Sequence, residues 1–195
     1  MSAEAIFQTT IALRTRLQQA LTAATDPGTV FIGPLDDPDA LGASLILFLY
    51  RIMPSATLRN REHRVPADNP PPPFIVFNNS LPLDLYYLVT VGTRAGSSEE
   101  PLLRTLGFAM RELNTNPELT GTAVGQETVS VSLEPLTTEE ASRIWSLFPT
   151  ANYRTSVAYL ATPVWIDPAQ PPVQAARVMQ DKLRAGARAT EAEGV

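Results

Sequence analysis

The stretch that decides the fold is Leu81-Pro82-Leu83-Asp84-Leu85-Tyr86-Tyr87-Leu88-Val89-Thr90-Val91. Apolar side chains recur here at every second position, which places them on one face of an extended strand. Those positions are Leu83, Leu85, Tyr87, Val89 and Val91. Asp84, Tyr86 and Thr90 take the opposite face. The alternation predicts a strand over 81–91.

Three segments around this strand have the apolar spacing of amphipathic helices. Residues 3–24 form the first, and Asp26-Pro27-Gly28 ends it. Capping boxes open the other two, at Ser97 with Glu100 and at Thr137 with Glu140. The apolar positions of the three helices are Ile6, Thr10, Leu13, Leu17 and Leu21; Leu102, Leu106, Met110 and Leu113; and Ala141, Ile144, Trp145 and Phe148.

Four further segments are predicted as strands: Val30–Ile32, Leu45–Ile52, Thr128–Leu133 and Tyr153–Ile166. The second is apolar on both faces apart from one arginine, which favours a buried, central strand. The third alternates, with its valines and Leu133 predicted to point inward. In the fourth, Pro163 lacks a backbone N–H and predicts a sheet edge or a bulge.

Residues 54–80 contain the run Pro70–Pro73 and are predicted to form a long irregular loop, partly polyproline-like. The order of elements predicts an α/β (α+β) domain: a single mixed sheet of four to five strands with helices packed on it. This domain covers residues 1–166. Residues 167–195 form a Pro/Ala-rich tail, predicted to be partly helical.

The composition excludes several classes of function. The 195 residues are 44% apolar and 18% charged, with a formal net charge of −5, so nucleic acid is not expected as a partner. The absence of cysteine excludes disulfides and thiol chemistry. The first residues lack a secretory signal, and the longest apolar run, Leu45–Tyr50, is too short to span a bilayer. A cytoplasmic protein without membrane insertion is expected.

Few residues suggest catalysis. His63, the only histidine, lies between cationic neighbours that disfavour an imidazolium, so we interpret it as a solvated loop residue. One histidine without cysteine cannot form a structural zinc site. The loop aspartates Asp36, Asp37 and Asp39 lack the spacing of a calcium loop and are typical of turns and helix caps, with a hard cation as the alternative.

Other candidate binding features also have plain structural interpretations. The chain contains neither a GxGxxG nor a Walker-type glycine pattern, so no cofactor is expected. Trp145 and Phe148 are predicted to be core residues rather than a ligand platform. Arg59, Arg61 and Arg64 lie in the long predicted loop, either as a solvated face or as a patch that contacts a partner.

Several segments in a fixed order resemble one protein family. They are Leu45–Ile52 followed by Leu58-Arg59-Asn60, then Leu81–Thr90, Leu106–Arg111 with Asn116–Leu119, Val131–Leu136, Trp145, and Tyr153–Tyr159. Together, over about residues 5–166, the chain is similar to the Pvc16-type (DUF4255) family. Members of this family cap the tail of extracellular contractile injection systems.

The resemblance implies a tail-terminator fold, a homo-hexameric ring, and contacts with the last ring of the contractile sheath and inner tube. It implies no catalytic residue, no cofactor and no metal. It also implies a protein made in the bacterial cytoplasm and assembled into an injection particle. Because unpaired sheet edges accept strands from other chains, the strand around Pro163 is a candidate site of strand exchange with the sheath.

Three other functions stay open at this point. A phage tail-completion or head–tail joining protein would have the same general architecture. A metal-dependent hydrolase would use Asp36, Asp37 and Asp39. A small-molecule binding domain would need a pocket for which the sequence contains no signature.

Overall fold

The computed structural model describes residues 3–66, 74–93, 99–125, 127–169 and 173–175. In this part of the chain lie three α-helices, nine strands and two short 3₁₀ turns. The helices are α1 (Ala5–Ala23), α2 (Glu99–Thr115) and α3 (Thr138–Trp145). The strands are β1 (Val30–Ile32), β2 (Leu45–Pro54), β3 (His63–Pro66), β4 (Phe74–Phe77), β5 (Leu81–Val91), β6 (Glu118–Gly121), β7 (Glu127–Glu134), β8 (Ser156–Ile166) and β9 (Val173–Ala175).

The strands form two sheets. The larger, called the main sheet below, has six strands in the order β1-β2-β5-β8-β7-β6. Only its β1–β2 pair is parallel, and its other pairs are antiparallel. The smaller, called the side sheet, has three antiparallel strands in the order β3-β4-β9. The main sheet is therefore mixed, as the sequence predicts.

Strand β5 organises the main sheet because it pairs with β2 along one edge and with β8 along the other. Its alternation matches its burial: Leu85, Tyr87 and Val89 are fully buried on the face that α1 and α2 cover. From α1, Leu13 and Leu17 reach the same core. The predicted strand and the predicted first helix are both confirmed.

The opposite face of the main sheet has a smaller apolar cluster beneath α3. Trp145 and Phe148 are 6% and 7% exposed and pack with Ile46 and Leu88, which confirms them as core residues. The predicted capping box opens α3, since the Thr137 side chain accepts a hydrogen bond from the Glu140 backbone N–H while the Glu140 carboxylate accepts one from that of Thr137. Two unequal layers thus enclose the main sheet.

The α+β class is confirmed, but the strand count of four to five and the single sheet are wrong. Residues 54–80 contain β3 and β4 rather than only an irregular loop. The short strands β6 and β9 were also missed. All four are three or four residues long, so they carry too few positions to show a period of two. β9 forms by pairing with β4, far away in the sequence, whereas β6 pairs with the following strand β7.

Two burial predictions need correction. Strand β2 is buried only in its first half, because β1 covers just Leu45–Leu47 and the strand then extends beyond it, leaving Ile52 46% exposed. Leu133 was expected to point inward but is 57% exposed. It lies near the end of β7, beyond the part of that strand that β6 pairs with.

Some predictions fall outside the described residues: the capping box at Ser97, the run Pro70–Pro73 and any helix in 176–195. Within the described part of the chain, no helix has both the length and the apolar character needed to cross a bilayer.

Candidate functional site

The arginines that the sequence marks as candidate partner contacts lie on β3 of the side sheet and in the segment before it. Arg59 and Arg61 are exposed in the segment that leads from β2 into β3. Arg64 is exposed on β3 and forms an ion pair of 2.9 Å with Glu62, whose side chain is also more than half exposed. All three arginines are therefore exposed at the protein surface.

His63, next to these arginines, is not the solvated residue that the sequence predicts. It opens β3 and is only 3% exposed. Its imidazole stacks on Trp165 of β8, with ring centroids 4.6 Å apart and planes inclined by 10°. Phe77 of β4 flanks it with a centroid distance of 5.9 Å. The earlier interpretation was wrong because pairing of β3 with β4 turns this side chain toward the main sheet.

Both imidazole nitrogens of His63 face carboxylates. Nδ1 lies 2.7 Å from Oδ1 of Asp167, just after β8, and Nε2 lies 3.0 Å from Oε1 of Glu127, at the start of β7. The hydroxyl of Ser80 donates a hydrogen bond of 2.7 Å to the same Asp167 oxygen. The side chains of His63 and Asp167 are each 4% exposed and that of Glu127 is 14% exposed. We call these four residues, with Trp165, the histidine clasp.

The clasp shifts the protonation of its members. Burial by itself would lower the pKa of His63, but the hydrogen bonds and charges of Glu127 and Asp167 outweigh it and raise that pKa above the ordinary value. Burial likewise opposes ionisation of Asp167, yet hydrogen bonds that include those from Ser80 and His63 lower the pKa of its carboxyl group. The clasp thus favours an imidazolium between two carboxylates.

The geometry of the clasp does not match a hydrolytic triad. In such a triad the imidazole takes a proton from a serine hydroxyl while the acid holds its other nitrogen. Here Ser80 donates to Asp167, and both nitrogens of His63 face carboxylates. Among the described residues, no group of three or more His, Cys, Asp or Glu side chains is placed to hold a metal ion. The arrangement is suited to joining two sheets.

Pro163 lies at a bulge within the main sheet. Leu83 of β5 pairs with Val164 and Leu85 pairs with Ala161, so two residues of β8 oppose the single Asp84. The bulge that the sequence allowed is confirmed. As a whole β8 is not an edge strand, because it lies between β5 and β7 in the sheet order. However, β7 pairs with it only over Ala158–Thr162, so the end of β8 from Pro163 to Ile166 pairs with β5 alone. A central strand tolerates proline here because the bulge interrupts the ladder.

The main sheet has two further open edges. Strand β6 ends the sheet on one side. On the other side, β1 pairs only with Leu45–Leu47, which leaves the second half of β2 without a described partner along that edge. Unpaired edges present backbone N–H and C=O groups that another chain can bind. These two edges join the strand around Pro163 as candidates for strand addition.

An apolar groove runs beside the edge strand β6, between it and α1. It encloses about 260 Å³, and its apolar lining includes Phe7, Ile11 and Leu119. Phe7 is 64% exposed, unusual for a phenylalanine on a helix that packs against a core. Arg16 supplies a positive charge in the groove and is partly held by Glu112 at 3.6 Å. Edge and groove together form a surface that we call the β6 edge groove.

A second groove of about 510 Å³ lies between the end of α2 and β7, with Met110, Leu133 and Tyr159 in its lining. It begins where the pairing of β6 with β7 ends at Ser130. The exposure of Leu133 is therefore part of a groove rather than an isolated surface residue.

The loop aspartates take the structural role that the sequence favours. Asp37 caps the 3₁₀ turn Pro38–Ala40, since its carboxylate accepts a hydrogen bond of 2.9 Å from the backbone N–H of Asp39. Asp36 lies 3.4 Å from the hydroxyl of Thr150. These contacts show a capped turn that contacts the segment after α3.

Sequence reasoning missed the clasp because its members come from four separate segments of the chain. The one available signal was the run Phe74-Ile75-Val76-Phe77, whose β-branched and aromatic residues favour a strand. A strand at that place would have made a second strand in 54–80 plausible. The partners Glu127 and Asp167 carry no local signal, since a carboxylate beside a strand end is ordinary.

Comparison with known proteins agrees with the fold. The model of the Pvc16 N-terminal domain family matches residues 8–180. The chain is similar to the PVC sheath/tube terminator of an extracellular contractile injection system in its extended state, solved by cryo-EM, with 15% identity and a TM-score of 0.55. That likeness covers 93% of this chain and 65% of the other.

A second solved structure, the tube-terminating cap of the anti-feeding prophage, is similar with 17% identity and a TM-score of 0.56, over 88% of this chain and 59% of the other. The chain thus spans less than two thirds of the length of either structure. None of the curated proteins that were compared matches it.

Proposed function

Because the chain belongs to the Pvc16 N-terminal domain family, we propose that it is a structural terminator of a contractile injection system. In this role it closes the end of the particle by binding the last ring of the contractile sheath and of the inner tube. The protein is made in the bacterial cytoplasm and becomes part of the assembled particle.

One observation carries this proposal: the fold of nearly the whole chain, 93% of it, matches that of a protein described as a sheath/tube terminator. The family match over residues 8–180 supports it independently of the coordinates. The second similar structure is described as a tube-terminating cap, so the two likenesses point to one kind of role.

A terminator of a cylindrical tail acts as a closed ring, and the proposal includes a ring of six copies. Rings form through heterologous contacts, in which two different patches of one subunit meet. The main sheet offers two such patches at its opposite ends, β6 and the open half of β2. The side sheet with Arg59, Arg61 and Arg64 is a further candidate surface.

For the contact with the sheath, the β6 edge groove is the best-suited surface. Strand addition needs unpaired backbone groups along an edge and apolar space for alternate side chains of the incoming strand. The groove supplies that space through Phe7, Ile11 and Leu119. Exposure of Phe7 in the isolated chain is costly, and an incoming apolar side chain would remove it from water.

The proposal includes no chemical reaction. Two observations support a role without catalysis. Ser80 donates to the carboxylate of Asp167 rather than to the imidazole, and Asp37 caps a 3₁₀ turn. Asp36→Ala with Asp39→Ala is the matching test of the hydrolase alternative. Particle assembly should be unchanged in this variant, whereas a metal-dependent enzyme would lose metal binding and activity together.

The decisive experiment is deletion of the gene, followed by negative-stain electron microscopy of purified particles. We expect sheaths of uncontrolled length or particles that lack a closed end, with rescue by the intact gene. Normal particles in the deletion strain would contradict the terminator role. Particles attached to capsids would instead identify a phage tail-completion or head–tail joining protein.

A matched pair of variants tests the surface. Phe7→Asp places a charge in the β6 edge groove, and Leu147→Asp places one at a residue of similar exposure, 68%, just after α3 on the other face of the main sheet. We expect Phe7→Asp to weaken binding of the sheath protein at least tenfold in a pull-down, with Leu147→Asp unchanged. Equal binding by the two variants would exclude the β6 edge groove as the sheath-binding surface and would leave the proposed terminator role untouched.

A further inference from the structure

Two strands of the main sheet extend beyond their outer neighbours, on opposite sides of the sheet. Strand β2 continues well past Leu47, the last residue that pairs with β1. Strand β7 continues past Ser130, the last residue that pairs with β6. Within the described part of the chain the sheet therefore presents two open strand segments. We call them the β2 overhang (Leu49–Pro54) and the β7 overhang (Ser132–Glu134).

The backbone of the β7 overhang faces outward at Leu133. The N–H of Val131 donates a hydrogen bond of 2.6 Å to the carbonyl of Pro117, which lies between α2 and β6. In an antiparallel sheet the N–H and C=O groups of every second residue face the same neighbour. Those of Leu133 therefore face the side of Val131 that Pro117 covers, but beyond the point where the chain has left α2 and entered β6.

The β2 overhang presents Ile52 in the same way. The register between β2 and β5 shifts between Leu49 and Arg51, which marks a bulge. Beyond the bulge, the N–H of Ser55 donates a hydrogen bond of 2.9 Å to the carbonyl of Pro82 of β5. By alternation, the N–H and C=O of Ile52 face the opposite side, where β1 no longer follows. Each overhang thus offers outward backbone groups at one apolar, exposed residue.

The two overhangs match in direction and in face. The steps from β2 to β5, from β5 to β8 and from β8 to β7 are all antiparallel, so β7 runs opposite to β2. Copies in a ring keep one direction along its axis, so β2 of one copy would lie antiparallel to β7 of the next. Ile52 is in register with Leu85, and Leu133 with Tyr159. Since both of these partners belong to the core under α1 and α2, both exposed side chains point to that face.

The side chains of the two overhangs are complementary in one register. With Ile52 opposite Leu133, the isoleucine comes to lie at the second groove, of about 510 Å³, whose lining includes Met110 and Leu133. The same antiparallel register sets Arg51 of one copy opposite Glu134 of the next. Both of these residues line a cavity beside α3, so they share the other face of the sheet. Apolar pairs and opposite charges directly across stabilise antiparallel strands.

We propose that the β2 overhang of one copy pairs with the β7 overhang of the next copy, with Ile52 opposite Leu133 and Arg51 opposite Glu134. This joint rests on the proposed ring and names the contact that closes it. It joins the main sheets of all copies into one continuous sheet around the ring. The β6 edge groove stays free for the sheath.

The absence of cysteine allows the joint to be tested by disulfide formation. Two residues that exchange both backbone hydrogen bonds have Cα atoms about 5.5 Å apart, which a disulfide can bridge. Particles that carry Ile52→Cys with Leu133→Cys should give, on mild oxidation, a ladder of covalent oligomers that ends at six copies. Each single variant should stay monomeric, because the joint brings unlike residues together. Ile52→Cys with Leu103→Cys, at another exposed leucine, is the matched control without a ladder.

An exchange of charges tests the joint without oxidation. Arg51→Glu and Glu134→Arg should each lower the fraction of closed particles in electron micrographs about tenfold, since like charges then meet at every joint. Expression of both variants in one strain should restore closure, because alternating copies again set opposite charges at every joint. A contact within one chain cannot be repaired by such mixing.

The joint is overturned if particles closed by the double-cysteine protein give no ladder, or if a single-cysteine variant forms covalent dimers. It is also overturned if each charge variant closes particles as the wild type does, or if their mixture fails to restore closure. Should the double-cysteine protein not close particles, the charge mixture decides. Normal particles without the gene would instead remove the terminator role itself, which is a separate outcome.

Discussion

The two sheets are held in place by different forces. Helices α1 and α2 cover the main sheet through fully buried aliphatic and aromatic side chains such as Leu17, Leu85 and Tyr87. The side sheet is attached through the histidine clasp, where charge and ring stacking act together. Apolar contacts do not respond to pH, whereas a buried ion cluster does. The main sheet is therefore held by contacts that are indifferent to protonation, whereas the contact of the side sheet includes groups whose pKa values are shifted.

The largest effect should come from the apolar region. Leu85→Ala removes a fully buried side chain from the centre of β5, and we expect a loss of about 4 kcal/mol in the free energy of unfolding. Because no charge is involved, urea denaturation at pH 6 and at pH 8 should give the same loss. Leu103→Ala, on the exposed side of α2, is the control, with a change of less than about 0.5 kcal/mol.

The next effect concerns the clasp. His63→Ala removes the buried imidazole that contacts both Glu127 and Asp167, and we expect a loss of about 3 kcal/mol in the free energy of unfolding at pH 6. The loss should shrink as the pH rises, because the wild type itself loses the stabilising charge through the raised pKa of His63. His63→Phe keeps a ring beside Trp165 but cannot be protonated. The difference in stability between this variant and the wild type therefore reports the contribution of the charge. If His63→Ala lowers the free energy of unfolding by the same amount from pH 6 to pH 9, the clasp does not respond to pH and does not differ from the apolar core in this respect.

A polar contact inside the apolar region sharpens the comparison. The Tyr87 hydroxyl lies 2.8 Å from Oγ1 of Thr10, and that threonine also donates to the carbonyl of Ile6 at 2.7 Å. Tyr87→Phe should therefore cost only about 1 kcal/mol, since Thr10 keeps a partner. Burial raises the pKa of Tyr87 to about 12, so the tyrosine stays neutral at pH 6 and at pH 9. The effect of Tyr87→Phe on the thermal unfolding temperature should therefore be equal at both pH values. A pH-dependent difference would show that the core also contains a titrating element.

The smallest effect is expected at the cap of α3. Thr137→Ala removes the hydroxyl that accepts the backbone N–H of Glu140, which costs about 1 kcal/mol or less. Hydrogen exchange should become faster in α3 and stay unchanged in β3 and β5. Thr138→Ala, one residue later and inside the helix, is the matched control and should leave exchange in α3 at the wild-type rate.

Prediction from sequence succeeded where the signal is local and long. Residues 81–91 alternate over eleven positions and form β5 as expected, and the Thr137 capping box starts α3 where it should. Prediction failed for β3, β4, β6 and β9, because strands of three or four residues show no period. Among the short strands only the uniformly apolar β1, Val30–Ile32, was recognised. Pro163 was correctly linked to a bulge. The sequence could not show that β8 lies between β5 and β7, or that only its end from Pro163 to Ile166 pairs with β5 alone.

By itself, the sequence determined the α+β class, the principal helices and strands, and the likeness to a terminator family, since periodicity, caps and the order of segments are properties of the linear chain. Only the tertiary structure decided that β8 is central, that β6 and half of β2 are open edges, and that His63 is buried between Glu127 and Asp167. Those three side chains lie far apart in sequence. Their contact exists because folding brings His63 of β3 next to Trp165 of β8, and no local pattern encodes that contact.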